Sequence, residues 1–412
     1  METAGTTVSG SEIGVFSSSG ARRNIYLPDK GDQAMRDRIP ERICGAGSLI
    51  YLKKETVNSQ ANVDIHSQNM NAEPQNVLDY RGDNTIFVVW NFKNDQEIGA
   101  VFQRICALVI NLNNSGETRF PDSGATCVMG IGYEAWLRLG LPAPLPKELT
   151  NFVPIAGKKH TAVATRGDLH FHIKGSSSSI CYDMAATLAQ MLDPVAVSVE
   201  EVHGFRYWDG RSILGFVDGT ENPKGEKRAF FGLIGDDDPA YKGGSYLFVQ
   251  KYVHDLKAFK ALPVGEQEKV FGRSKENDVE MSDEQKPSNS HIALTNVGDD
   301  LKIIRDNLPF GNMSSNEMGT YFIAYMSTFS TVKKMLDNMF IGLPEGNYDR
   351  LLDFSTPKTG TLFFVPSASF LKNIASGAPA LEVIASAADV TGEVGSRPSS
   401  GDGSLLIGSL KK

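Results

Sequence analysis

The sequence predicts an α+β fold built from two consecutive β-α-β-β-α-β units. Three observations carry that expectation. Short β-rich apolar runs alternate with stretches of helical period, the alternation restarts after about residue 200, and polar, glycine- and serine-rich composition is confined to the two ends.

The first unit opens on Thr85-Ile86-Phe87-Val88-Val89-Trp90-Asn91-Phe92, an apolar run rich in strand formers. Residues 95–113 read as an amphipathic helix, because Ile98, Val101, Phe102, Ile105, Val109 and Ile110 share one face. Cys127 to Ile131 is a second strand and Tyr133 to Leu139 a short helix. Asp168 to Ile173 is a third strand, Ile180 to Leu192 a second long helix, and Val195 to Val199 a fourth strand. The order is that of the ferredoxin-like motif. It runs again with a strand at Gly244 to Tyr252, a helix at Val253 to Ala261, a strand at Gly319 to Tyr325, a helix at Thr331 to Phe340 and a last strand at Thr361 to Val365. Two such units in one chain can pair their sheets around a barrel-like core.

Residues 1–78 show neither a sustained helical nor a strand period and are rich in Ser, Gly, Asn, Gln and charge, which predicts a disordered extension. Met70 is an alternative start within it. The predicted domains are therefore 79–200 and 201–371, followed by an Ala-, Ser-, Gly- and Pro-rich linker over 372–400. The last stretch, 401–412, is compact and apolar: Asp402-Gly403-Ser404-Leu405-Leu406-Ile407-Gly408-Ser409-Leu410-Lys411-Lys412.

At 412 residues the chain is long enough for two cores, and 41% hydrophobic with 22% charged residues is the balance of a globular protein. A net charge of −8 gives no basic excess to neutralise phosphates, so nucleic acid is not an expected partner. No apolar run is long enough to span a bilayer. Arg22-Arg23 is followed by Asp29, Lys30, Asp32, Arg36 and Asp37 where an export signal needs apolar residues. The scattered Cys44, Cys106, Cys127 and Cys181 form no CxxC pair and read as reduced thiols. A cytoplasmic location is expected.

The chemistry centres on Gly215-Phe216-Val217-Asp218-Gly219-Thr220-Glu221-Asn222-Pro223, where one carboxylate stands in a glycine-rich turn. Such a carboxylate is either a turn former or a base held against a bound group. Of the seven histidines, His170 and His172 lie two apart on a strand and so share a face, but no carboxylate or cysteine accompanies them at ligand spacing. His291 differs: it stands where a polar loop meets the apolar, strand-like Ile292-Ala293-Leu294. Arg305 follows Ile303-Ile304, a setting in which a guanidinium needs an anionic partner. Asp218, a cofactor carboxylate or a bound anion could each supply it.

Taken together, Gly215 to Pro223, Ser290-His291, Ile304-Arg305-Asp306-Asn307-Leu308-Pro309-Phe310-Gly311, Asp349 to Thr356 and Glu201 to Tyr207 resemble the dye-decolorizing haem peroxidases, in order, over about residues 77–371. The resemblance implies a dimeric-αβ-barrel-like peroxidase fold and one haem b per chain. It makes His291 the proximal ligand of the haem iron, with Asp353 as the carboxylate behind it. It makes Asp218 the proton shuttle for hydrogen peroxide, Arg305 the charge clamp and Asn307 the residue that orders the distal water. Gly215 and Gly219 would let the backbone lie against the porphyrin, and Phe310 would cap its edge. Aromatic dyes and phenols would be oxidised by single electrons, through surface aromatics among which Trp208, Tyr321, Tyr325 and Tyr348 are candidates. The implied activity is best at acidic pH, and a homo-oligomer is expected.

The terminal Asp402–Lys412 segment resembles the peptides by which cargo enzymes dock in encapsulin shells, with Leu405, Ile407 and Leu410 as anchors and Leu406 where such peptides often carry glycine. That resemblance implies residence inside an encapsulin nanocompartment. The alternative function is a haem-binding protein of the same fold that handles haem or iron. A carrier without turnover and a non-haem binding module are further readings.

Overall fold

The computed structural model describes residues 72–378 other than 81 and 95, together with the backbone of four short strands nearer the N-terminus. The chain divides into two units, Met1–Asp64 and Ile65–Lys412. In the first unit Gly10–Phe16 pairs antiparallel with Arg22–Pro28, and Arg42–Gly45 with Ser48–Tyr51. These strands of four to seven residues lie within the stretch read as an extension without a sustained period. The expected linker at 379–400 and the terminal peptide lie outside the described residues.

In the second unit ten strands form one sheet. Its order is Ala196–Phe205, Asn84–Phe92, Leu169–Gly175, Thr126–Gly132, Thr361–Val365, Ser245–His254, Glu317–Met326 and Ile304–Arg305. Leu308–Asn312 also pairs with Glu317–Met326, and Ser355–Pro357 with Ser245–His254. Each half has its fourth strand, in chain order, outside the first, then the third, then the second. That is the ferredoxin-like order, so the sheet is two such halves joined edge to edge, as the sequence predicts. The second strand of the second half, split at Asp306-Asn307, has no counterpart in the sequence reading, because its charged pair and Pro309 interrupt the apolar run.

Both faces of the sheet are buried, and the alternation of side chains separates them. Along Asn84–Phe92, Ile86, Val88, Trp90 and Phe92 join one core with the helices Gly99–Arg119 and Ser178–Leu192. Phe87 and Val89 join another with Val202, Leu247, Ile304, Leu308, Tyr321 and Phe363. This inner core draws on strands from both ends of the sheet because the sheet curls until they meet. A Cβ on Gly204 would stand 2.9 Å from the Cβ of Leu308.

Several boundaries differ from the sequence reading, among them the first long helix, which spans Gly99–Arg119. Residues 72–78 belong to the fold: the buried Gln75 side chain bonds the backbone of Met129 and Pro366, and Val77 enters the inner core. The strand from Ala196 continues to Phe205, past the expected domain boundary, because it pairs with Asn84–Phe92 over its length. The strand from Ser245 runs to His254, so the following helix begins only at Leu256. Beyond residue 371, the helix Ala368–Ala375 packs on Gly99–Arg119.

The seam between the halves is narrow. Thr126–Gly132 and Thr361–Val365 meet through Gly132 with Phe363 and Ile131 with Phe364. A Cβ on Gly132 would lie 2.0 Å from the carbonyl oxygen of Gly167, a backbone atom that cannot rotate away. Gly132→Ala is therefore expected to destabilise the protein by about 3 kcal/mol, read as a lower denaturant midpoint. An unchanged midpoint would show that the seam is looser than the packing implies.

The inner face also carries histidines. His172 Nδ1 lies 2.8 Å from the Tyr325 hydroxyl, and His170 Nε2 3.4 Å from that of Tyr321. Burial pushes His172 down to about 3 and His254 down to about 4, and burial with the neighbouring His172 pushes His170 well below the ordinary range. All three stay neutral in the folded state but take up protons near pH 6.5 once unfolded. Stability should therefore fall as pH drops below about 6.5, by about 1.4 kcal/mol per pH unit for each histidine, until the folded values are reached. Glu200, whose carboxyl burial holds up, works in the opposite sense. Denaturant midpoints at neutral and acidic pH check this, and His172→Gln should flatten the slope.

Candidate active site

A cleft opens beside the second half of the sheet and is lined by Asp218, His291, Arg305 and Asn307. Its walls are otherwise mostly apolar, with Leu214, Phe216, Phe271, Ile292, Val332 and Met335 among them. The open space between its walls is about 1530 Å³, solvent at its mouth included.

His291 is the first residue of the short helix His291–Thr295. The sequence reading of 292–294 as strand-like is corrected: Ser290 caps a helical turn, its hydroxyl accepting from the Ala293 amide at 3.4 Å. The imidazole Nδ1 lies 2.7 Å from Oδ2 of Asp349, whose side chain is 0% exposed. Asp349 is fixed in turn as the cap of the 3₁₀ helix Arg350–Asp353, its Oδ1 accepting from the Leu351 amide at 2.9 Å. With Nδ1 engaged, Nε2 is the ring nitrogen left for a ligand in the cleft.

Asp353 is not the carboxylate behind His291. It sits one helical turn beyond Asp349, on the outward side, where it accepts from Lys159 Nζ at 2.6 Å and the Tyr348 hydroxyl at 3.1 Å and lies 2.9 Å from His160 Nε2. Both aspartates stand in the run singled out in the sequence. Asp349 carries the sharper local signal, an Asp at the start of a turn.

Asp218 is presented by the turn between Gly215 and Gly219, at φ +95° and +84°, conformations that favour glycine. The Asp218 amide donates to the Gly210 carbonyl at 3.2 Å. Arg305 and Asn307 reach the same cleft because they are two apart on one extended segment, whereas Ile304, Leu308 and Phe310 face the inner core. Phe310 therefore does not cap the cleft: it packs beside Gly319 under the ammonium of Lys251. Gly215 is likewise absent from the cleft wall. Its missing side chain makes room for Lys275, whose Cε would stand 2.6 Å from a Cβ there. Gly219 does line the cleft.

The amide of Asn307 has a set direction. Its Oδ1 accepts from the Ile323 amide at 3.0 Å, so its Nδ2 is turned to Asp218 Oδ1, 3.4 Å away. Asn222, at the end of the Asp218 turn, clasps the Arg305 backbone. The Asn222 Nδ2 donates to the Arg305 carbonyl at 2.6 Å, and the Arg305 amide donates to Asn222 Oδ1 at 2.9 Å. Sequence reasoning singled out Asn222 only as part of the turn. Its clasp is a contact across 83 residues that no local pattern announces.

Among the proposed surface aromatics, Trp208 is 78% exposed, whereas Tyr321 and Tyr325 are fully buried in the inner core and so cannot meet a dye. His170 and His172 are bound to these tyrosines rather than to a metal site. Among the described residues no helix is long and apolar enough to cross a membrane.

This geometry has relatives. Residues 74–206 match the family described as Dyp-type peroxidase, N-terminal, and residues 209–370 match Dyp-type peroxidase, C-terminal. The dye-decolorizing peroxidase of Rhodococcus erythropolis is 44% identical over 345 residues, 83% of this chain and 98% of that protein. A dye-decolorizing peroxidase from Bacteroides thetaiotaomicron, solved by crystallography, is 52% identical with a TM-score of 0.72, over 74% of this chain and 99% of that one. The encapsulated DyP-type peroxidase of Mycobacterium smegmatis, solved by cryo-electron microscopy, is 43% identical with a TM-score of 0.71, over 74% and 98%. A DypB variant of Rhodococcus jostii in complex with heme is 43% identical with a TM-score of 0.69, over 73% and 97%. With both halves of its sheet matched in order, the chain belongs to the Dyp-type peroxidase family.

Proposed function

We propose that this chain is a haem-dependent peroxidase in which His291 holds the iron and Asp218, Arg305 and Asn307 handle hydrogen peroxide. The observation that carries the reading is the His291–Asp349 contact at 2.7 Å, which offers one ring nitrogen to the cleft that those three residues also line.

The donor set fits the group. A neutral imidazole backed by a buried carboxylate is a proximal ligand for haem, and the carboxylate fixes the tautomer and raises the basicity of the ring. Apolar walls suit the face of a macrocycle. Haem b supplies, when bound, an iron that takes up peroxide and passes its oxidising power to aromatic reductants one electron at a time.

The residues of the chain do the rest. Asp218 accepts a proton from the entering peroxide and returns it to the departing oxygen. Asn307 Nδ2 steadies the carboxylate at Oδ1. Arg305 places fixed positive charge where negative charge grows as the O–O bond stretches. A carrier would need neither the carboxylate nor the guanidinium, so the pair favours turnover over haem handling. Dyes too bulky for the cleft would be oxidised at the surface, with Trp208 the exposed candidate.

The terminal Asp402–Lys412 peptide, outside the described residues, would seat the enzyme in an encapsulin shell through Leu405, Ile407 and Leu410. The apolar pattern and the encapsulated relative support this reading. Haem-supplied protein should show a Soret band and oxidise an anthraquinone dye only with peroxide, and absence of either would sink the peroxidase reading. Deleting residues 402–412 should end co-purification with co-expressed shells. Retained co-purification would overturn the docking role.

A further inference from the structure

The peroxide side of the cleft is held from behind by two buried cations that touch none of its lining. Lys174, on the strand Leu169–Gly175 of the first half, reaches Asp306 Oδ2 at 3.1 Å, with both side chains almost wholly buried, 3% and 5% exposed. Asp306 stands between Arg305 and Asn307 and points to the inner face, where His172 Nε2 is also 3.7 Å from its Oδ2. Lys174 Nζ further donates to the carbonyls of Asp79 at 3.4 Å and Tyr80 at 3.2 Å. The same short stretch of backbone is gripped by Arg228. Its Nε donates to the Leu78 carbonyl at 2.9 Å and its Nη2 to the Asp79 carbonyl at 3.0 Å, with the guanidinium over the Tyr80 ring. Arg228 Nη1 also donates to the Pro223 carbonyl, at the end of the Asp218 turn, at 3.4 Å.

We propose that Lys174 and Arg228 are positioning residues for peroxide activation. Through the Leu78–Tyr80 backbone they tie the Asp218 turn to the Arg305–Asn307 strand. The need for such a tie follows from the site itself. Asp218 and Asn307 come from segments 89 residues apart and meet at 3.4 Å, so a small shift of either undoes the contact. Supporting residues must hold a reactive constellation to about 0.5 Å. A buried ion pair does so well, because its partners cannot exchange each other for water. The first half of the sheet, which lends no residue to the cleft wall, thereby acts on the site.

This inference rests on the peroxidase reading, and its test separates the two. Holoenzyme carrying Lys174→Met is mixed with hydrogen peroxide in a stopped-flow spectrometer, and the Soret change is timed. Slowing by about tenfold or more is expected, with the resting Soret band and the KM for dye unchanged, while Lys174→Arg restores the rate to within about threefold. Amide hydrogen exchange should quicken in peptides covering 78–80, 215–223 and 303–312 and nowhere else. Because removing one partner of a buried pair weakens folding, Lys174→Met/Asp306→Leu is compared as well. A double variant that melts like the wild type yet stays slow supports positioning, and one that regains the wild-type rate overturns it. Lys174→Met with a rate within about twofold of wild type and unaltered exchange also overturns it. Wild-type holoenzyme unresponsive to peroxide would instead refute the peroxidase reading, and the exchange pattern would then decide the structural tie alone.

Discussion

Replacing His291 by alanine is expected to remove the Soret band and lower peroxide-driven dye oxidation by about 10³-fold or more. The size follows from the geometry rather than from a general cost of mutation. Among the described residues His291 is the one histidine whose Nδ1 is engaged by a carboxylate while its ring faces the cleft. The other cleft histidine, His254, has both nitrogens occupied, by Ser355 Oγ at 2.8 Å and Thr320 Oγ1 at 2.9 Å. No neighbour can therefore take over as ligand. Truncation also leaves Asp349 Oδ2 buried without its partner, which should cost about 1–3 kcal/mol of stability. Added imidazole should restore part of the Soret band by entering the space vacated. Asp349→Asn keeps the shape but not the charge, so it should retain haem while losing about 10–100-fold in affinity or rate. Asp353→Asn should leave both unchanged. If His291→Ala kept haem and full turnover, or if Asp353→Asn matched Asp349→Asn, the assignment would fail.

The contrast between Asp349 and Asp353 marks how far the sequence can be read. The period of Asn84–Phe92 and of the long helices was legible because both faces of the sheet are buried against regular partners. The order of elements then allowed the paired halves to be anticipated. The strand carrying Arg305 was not legible as a strand, since Asp306 is a charge turned into the inner face, where Lys174, 132 residues away, pairs with it. Local propensity counts that aspartate against a strand. The tertiary ion pair outweighs that preference. In the same way Phe310 and Gly215 stand beside the right residues in sequence but on the wrong face of their segments. Side-chain direction, which alternates along an extended chain, separated them from Asn307 and Gly219. His291, Asp218 and Arg305 drew attention because each is chemically out of place in its own neighbourhood, whereas Asn307 was named only through the resemblance to the dye-decolorizing peroxidases.

Arg305→Leu is expected to slow the reaction with peroxide by about 10²–10³-fold while leaving the haem complex and the KM for dye intact. The substitution is unusually clean. Both backbone polar groups of Arg305 are held by the Asn222 side chain, at 2.9 and 2.6 Å, so the segment keeps its place when the guanidinium is removed. Leucine also suits the apolar walls beside it. What disappears is fixed charge aimed at the cleft, and that matters only while negative charge develops on peroxide oxygen. Asp218→Asn should slow the same step by about 10²–10⁴-fold for a different reason, the lost proton acceptor. If the two residues act on one transition state as a unit, the double variant will be little slower than the slower single variant. Strictly multiplicative losses would mean independent roles, and a rate for Arg305→Leu within about twofold of wild type would end the electrostatic assignment.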